Sequence, residues 1–167
     1  MSTAHPPGAA LRPRTAAEQA EVEAGLVEIF ERGIPFNQLL GLQVLSVRPG
    51  SVRGRITMRH DLVGTASHGR LHGGVTASVL DTVGGLAVIA AVIERHPHDS
   101  PAQALQRFAR MGTIDLRVDY LRPGIGHHFE AVAEVTRLGG RVGSAQMRLV
   151  NEEGTLISTA AAAYIVS

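Results

Sequence analysis

The chain of 167 residues carries 16 Lys plus Arg against 15 Asp plus Glu, a formal net charge of +1, with 44% hydrophobic and 19% charged residues. That is the composition of one water-soluble globular domain able to bury a core without staples, and the near-balanced charge argues against a nucleic-acid partner. With no cysteine, disulfides, Cys-ligated zinc and thiol nucleophiles drop out, so any chemistry falls to oxygen and nitrogen groups and no cofactor is implied.

Residues 1–14 contain Pro6, Pro7 and Pro13 but no apolar h-region, and read as a flexible tail on a cytoplasmic protein rather than a secretory leader. Residues 15–167 then form a single domain. Thr15 with Glu18 three residues on is a capping-box pattern, and Val22, Leu26 and Phe30 recur at helical spacing, which predicts a helix from about Ala16 to Arg32, stopped by Gly33 and Pro35. Leu42 to Val47 and Val52 to Arg59 flank Pro49-Gly50 and read as a hairpin, with Val52, Gly54, Ile56 and Met58 on one face.

A polar loop from His60 to Leu71 leads into an apolar segment, Gly74 to about Arg95. Asp81 interrupts its apolar run, so the segment reads as a buried helix and not a membrane span. It is apolar on almost every side and must be wrapped by other elements. A short helix is expected around Gln103 to Ala109. Thr113 to Arg122 follows as a strand in which Ile114, Leu116, Val118 and Tyr120 alternate with Asp115, Arg117 and Asp119. Pro123-Gly124, Gly139-Gly140 and Asn151 to Gly154 mark turns between Phe129 to Arg137, a strand ending near Val150, and a last Ala-rich strand, Leu156 to Val166. Short turns suggest that the last four strands form a meander curled around the apolar helix, an α+β fold.

The polar oddities gather in Leu71-His72-Gly73-Gly74-Val75-Thr76-Ala77-Ser78-Val79-Leu80-Asp81. Gly73 and Gly74 open the helix, where backbone N–H groups are unpaired and share the positive end of its dipole. Such donors suit an oxyanion, and the missing side chains admit a carbonyl; alternatively the two glycines only start a crowded helix. Asp81 is the single acid in the apolar run from Val75 to Ile93 and needs a partner or a job: a structural bond to neighbouring backbone, or work as a base or nucleophile. Gly74 and Asp81 lie roughly 10 Å apart along the axis at ~1.5 Å per residue, too far for one carbonyl to meet both. Two such helices packed antiparallel would bring the donors of one subunit to Asp81 of another, which predicts a twofold dimer.

The run LHGGVTASVLDTVGGLA, the strand GTIDLRVDYLRPG and the C-terminal hairpin with its last strand resemble the PaaI-type acyl-CoA thioesterases of the hotdog superfamily, over about Phe36 to Val166. The resemblance implies a long central helix wrapped by a curved antiparallel sheet of about six strands, here with an extra N-terminal helix. It also implies homodimers, with pairing of dimers into tetramers open, and an acyl-CoA substrate. By the same resemblance Asp81 is the catalytic carboxylate, as general base or nucleophile. Gly73 is the oxyanion-hole glycine, His72 orders the turn near the thioester, and Thr113 helps hold the attacking water.

Many relatives place an Asn or Gln upstream of HGG, whereas this chain reads Gly64-Thr65-Ala66-Ser67, so Thr65 becomes the expected substrate contact there, with Gly74 and Ser78. Arg122 and Arg141 are the turn arginines expected to meet CoA phosphates, Arg137 being a further one. His68 and His72 have metal-pair spacing, but Gly69 lies between them and no metal is expected. Two further readings stay open: a non-catalytic acyl-CoA-binding or regulatory module, and a hotdog dehydratase, which would use a catalytic His on a differently placed helix.

Overall fold

The computed structural model describes residues 12–48 and 50–167. Most of the expected tail, and Pro49 of the expected hairpin turn, lie outside the described residues. The last residues of that tail are docked: the Arg14 N–H donates to Pro97 O at 2.7 Å, and its guanidinium donates to the carbonyls of Ile93, His96 and Asp99.

Helix α1 spans Ala16–Glu28, and its Thr15–Glu18 capping box forms as the sequence predicts. The expected helix does not run evenly to Arg32. It widens into a π-helical turn at Ile29–Gly33, and a second helix, α2 (Pro35–Leu40), starts at once with Pro35 in its first turn. The proline that reads as a stop is also a start, because its missing N–H costs nothing at a helix N-terminus. Strands β1 (Gln43–Ser46) and β2 (Val52–Thr57) form the predicted hairpin. A small unpredicted ribbon of β3 (Val63–Thr65) and β4 (Arg70–Leu71) then leads to helix α3 (Gly73–Glu94). Helix α4 (Pro101–Gln106) and a 3-10 turn (Arg107–Arg110) precede β5 (Gly112–Tyr120), β6 (His128–Leu138), β7 (Val142–Asn151) and β8 (Leu156–Ile165).

The six-stranded antiparallel sheet has the order β1-β2-β6-β7-β8-β5. The expected four-strand meander is therefore wrong in one respect: β6, β7 and β8 follow one another, but β5 pairs with β8 at the outer edge while β6 pairs with β2. The connection Leu121–His127 is longer than a tight hairpin and leaves β6 free to find β2, where Phe129 stands opposite Ile56, both fully buried. A second correction concerns β5. Its register on β8 shifts between Thr113 and Asp115, so Ile114, expected on the apolar face, is 58% exposed.

By length and composition α3 would suffice to cross a membrane, but Val79, Leu80, Val83, Leu86, Val88 and Ile89 are buried in the core against the sheet. The sheet yields to the helix at two glycines. A Cβ at Gly54 would stand 2.8 Å from Val83 Cγ2, and one at Gly143 would stand 2.6 Å from Val88 Cγ1. Close contact of helix on sheet is thus written into β2 and β7. From the other side, buried Asn37 of α2 donates to Phe30 O and accepts from Thr82 Oγ1 at 3.2 Å, fixing α2 to α3 one residue past Asp81.

Candidate active site

His72 is the N-cap of α3: with extended backbone, its Nδ1 accepts the Gly74 N–H at 2.9 Å, which puts the ring's own N–H at Nε2. The His72 N–H donates to Leu62 O at 2.8 Å and the His72 carbonyl accepts from Thr76 N at 3.1 Å. The expectation that Gly73 and Gly74 both offer free donors therefore changes. Gly74 is spent on the cap, and in this turn the N–H groups of Gly73 and Val75 are the ones without a partner among the described residues. A histidine cap explains the difference, since its ring reaches back over one residue as Ser or Asp caps do.

Two turns further along α3, Asp81 is half-buried. Its Oδ1 accepts from Thr113 Oγ1 at 2.9 Å, across from α3 to β5. The β5 register shift turns Thr113 toward the helix. Beneath Asp81, the buried Tyr164 hydroxyl donates to the Asp81 backbone carbonyl at 2.8 Å. Burial first, and the Asp81 charge second, push the Tyr164 pKa well above the usual phenol range, so this donor stays protonated. Thus Asp81 is gripped through its main chain from below and through its carboxylate from the side. The same strand ends at Tyr120, whose hydroxyl donates to Gly73 O at 2.8 Å.

The other expected residues fall as follows. Ser78 lies on the same accessible side of α3 as Gly74 and Asp81, and its hydroxyl donates to Gly74 O at 2.7 Å, which leaves its oxygen as an acceptor. Thr65 ends β3, in the ribbon just before the cap. Arg122 and Arg141 are not brought together. The Arg122 N–H bonds to Ile157 O and the Arg141 carbonyl to the Val166 N–H, opposite ends of β8, roughly 30 Å apart at about 3.3 Å per residue. One protomer's pair cannot clamp the phosphates of one nucleotide. Among the described residues no group of three His, Asp or Glu is placed to hold a metal. His68 Nδ1 pairs with Ser67 Oγ.

Sequence reasoning missed Tyr120, Tyr164, Asn37 and Thr82. Tyr120 stood in the alternating strand pattern as one more large side chain, and Asn37 lay in a segment without an assigned helix. Glycine at position 84 costs about 1 kcal/mol inside a helix relative to alanine, and the packing explains it: a Cβ there would collide with the Tyr164 hydroxyl and stand 2.9 Å from Met147 Sδ.

A buried helix whose capped N-terminus has an N–H without a partner among the described residues, a carboxylate two turns on, and a threonine bonded to that carboxylate are groups with the chemistry that acyl transfer to water calls for. Comparison with known proteins gives the family and the fold. Residues 68–158 match the model of the thioesterase superfamily, and this chain belongs to that superfamily, with its hotdog fold. It is similar to the medium/long-chain acyl-CoA thioesterase YigI of Escherichia coli K12, 41% identical over 150 residues that cover 90% of this chain and 96% of that one. Among solved structures it resembles a Shewanella oneidensis protein related to the thioesterase superfamily, at 41% identity and TM-score 0.83, covering 89% of this chain and 97% of that one. It also resembles a mutant of the phenylacetic acid degradation protein PaaI of Thermus thermophilus, at 27% identity and TM-score 0.63, covering 80% and 100%.

Proposed function

We propose that this chain hydrolyses acyl-CoA thioesters to the free acid and CoA, in the cytoplasm, with Asp81 as the catalytic carboxylate. The observation that carries the reading is Asp81 held by Thr113 on a helix that begins with a Gly73 N–H unpartnered among the described residues. The carboxylate, as general base, takes a proton from water as the water oxygen bonds to the thioester carbon; as nucleophile it would bond there itself. In either course the carbonyl oxygen gains charge, which the Gly73 N–H and the helix dipole stabilise, and the C–S bond then breaks to release CoA thiolate; in the nucleophile course this leaves an Asp81 anhydride, which water opens to free the acid and restore the carboxylate. Thr113 spends its proton on Asp81, so it orients the carboxylate and leaves its oxygen to receive water.

The site is read as shared in a twofold dimer. Gly73, which carries the donor, and Asp81 of one helix are roughly 12 Å apart along the axis at ~1.5 Å per residue, and five clefts of the chain, of about 350 to 690 Å³, have linings without Asp81. The accessible stripe of α3 (Gly74, Ser78, Asp81 and Gly85) and the edge strand β5 supply the surface for the second copy.

The test is CoA release, followed with a thiol reagent, over short, medium, long and aromatic acyl-CoAs for the wild type and Asp81→Asn. The cysteine-free protein adds no background. Turnover that collapses in a folded Asp81→Asn chain supports the reading. The departure Gly64-Thr65-Ala66-Ser67 favours a second reading, a binding module without turnover. Absence of hydrolysis of every acyl-CoA, with binding retained, would support that one, and hydrolysis indifferent to Asp81 would overturn the role given to Asp81.

A further inference from the structure

The peptide unit that joins Gly73 to Gly74 is held at both ends. Its carbonyl, Gly73 O, accepts from Tyr120 Oη at 2.8 Å. Its N–H, on Gly74, donates to His72 Nδ1 at 2.9 Å. The Tyr120 ring also lies against the place where a Gly73 side chain would begin, 3.4–3.5 Å from that Cβ position. Two consecutive glycines are the softest pair of residues with which to begin a helix, and the first turn is where helices fray. A free N–H stabilises an oxyanion only if it already points where the charge will form. Gly73 offers such an N–H and has no side chain to hold it still.

We infer that Tyr120 is a positioning residue for the oxyanion donor: by holding Gly73 O it locks the plane next to the free Gly73 N–H and so sets that donor's direction. This rests on the hydrolase reading for its kinetic consequence, but the geometry itself can be read without turnover. Tyr120 is 56% exposed in the single chain, at the end of the edge strand β5 that the proposed second copy would cover. Its hydroxyl reaches back to the helix, at Gly73 O.

The experiment is Tyr120→Phe, which keeps the ring on Gly73 and removes only the hydroxyl. Melting temperature and light scattering show that fold and oligomeric state are kept. Losing a whole oxyanion donor costs about 100- to 1000-fold in kcat, so a loosened one is expected to cost about tenfold, with KM changed less than about twofold. In ¹⁵N-resolved hydrogen exchange the Gly74 amide of the variant exchanges at least about fivefold faster than in the wild type, because its peptide plane has lost one of two anchors. An unchanged Gly74 amide overturns the inference whether or not the enzyme turns over. So does an unchanged kcat in a wild-type enzyme that hydrolyses acyl-CoA through Asp81, or a loss confined to KM. If the wild type hydrolyses nothing while the Gly74 amide responds to Tyr120→Phe, the hydrolase reading falls and the positioning contact stands.

Discussion

Replacing Gly84 by alanine adds one methyl to α3 at the most crowded of its four glycines, and the neighbouring Gly85 provides the control. On helix propensity alone each change should stabilise the chain by about 1 kcal/mol. At Gly85 the new Cβ meets Tyr164 Cε1 at 3.5 Å, an ordinary contact, so the propensity gain survives. At Gly84 the methyl would collide with the Tyr164 hydroxyl and stand 2.9 Å from Met147 Sδ, and the hydroxyl cannot retreat without releasing Asp81 O. Overpacking costs about 1–3 kcal/mol and a lost buried hydrogen bond about 1 kcal/mol, which together outweigh the gain. Gly84→Ala is therefore expected to be less stable than wild type by about 1–3 kcal/mol, a fall of roughly 3–10 °C in melting temperature for a chain of this size, with Gly85→Ala melting above it. Differential scanning calorimetry decides it. Gly84→Ala melting at or above Gly85→Ala would refute the close approach of Tyr164 to α3, and with it the grip on Asp81 from below.

Thr113→Val should lower kcat for acyl-CoA about tenfold with the fold intact, because the Asp81 carboxylate loses its oriented donor; steady-state kinetics over a chain-length series checks it. Arg14→Ala should cost about 2 kcal/mol, since three carbonyls around the C-terminal end of α3 lose one guanidinium, and Arg14→Lys should recover only part; melting curves show both. Glu130 is held below the usual carboxylate range by hydrogen bonds and charge, Arg55 first and Arg53 after it, against the opposing pull of burial. A folded-state pKa below the unfolded one, about 4.3, gives stability that is present above that pH and lost as pH falls through the folded value. Melting temperatures measured from pH 7 down to about pH 3 should therefore decline less steeply below about pH 4 for Glu130→Gln than for wild type.

The central helix, the six strands and the clustering of polar residues at its start were legible because hydrophobic period and turn chemistry act locally: the Thr15–Glu18 box, the run from Val75 to Ile93, and Gly139-Gly140 each speak within a few residues. Strand order was not, since β5 and β6 are neighbours in sequence while β6 finds β2 far back along the chain, a choice made by packing of Phe129 on Ile56. The candidate site divides the same way. Asp81 and the glycines stood out as exceptions to their surroundings, whereas Tyr120 and Tyr164 obeyed theirs, a tyrosine in a strand being ordinary until its hydroxyl finds a helix carbonyl. The capping role of His72 consumed a donor that spacing alone left free, because a side chain folding back two residues leaves no periodic trace.

Thr113 and Tyr120 are an odd number of positions apart, and in an unbroken strand odd partners look out of opposite faces of the sheet. Yet both reach the same helix, Thr113 at Asp81 and Tyr120 at Gly73. The residue inserted at Ile114 changes the parity: Thr113 stands opposite Tyr164 and Asp115 opposite Ala163, so one position on β5 has no counterpart on β8. The same sequence paired without that shift would keep every motif around His72-Gly73-Gly74 and would turn the threonine to the solvent side. Whether a carboxylate and a helix cap answer to one strand is settled here by counting.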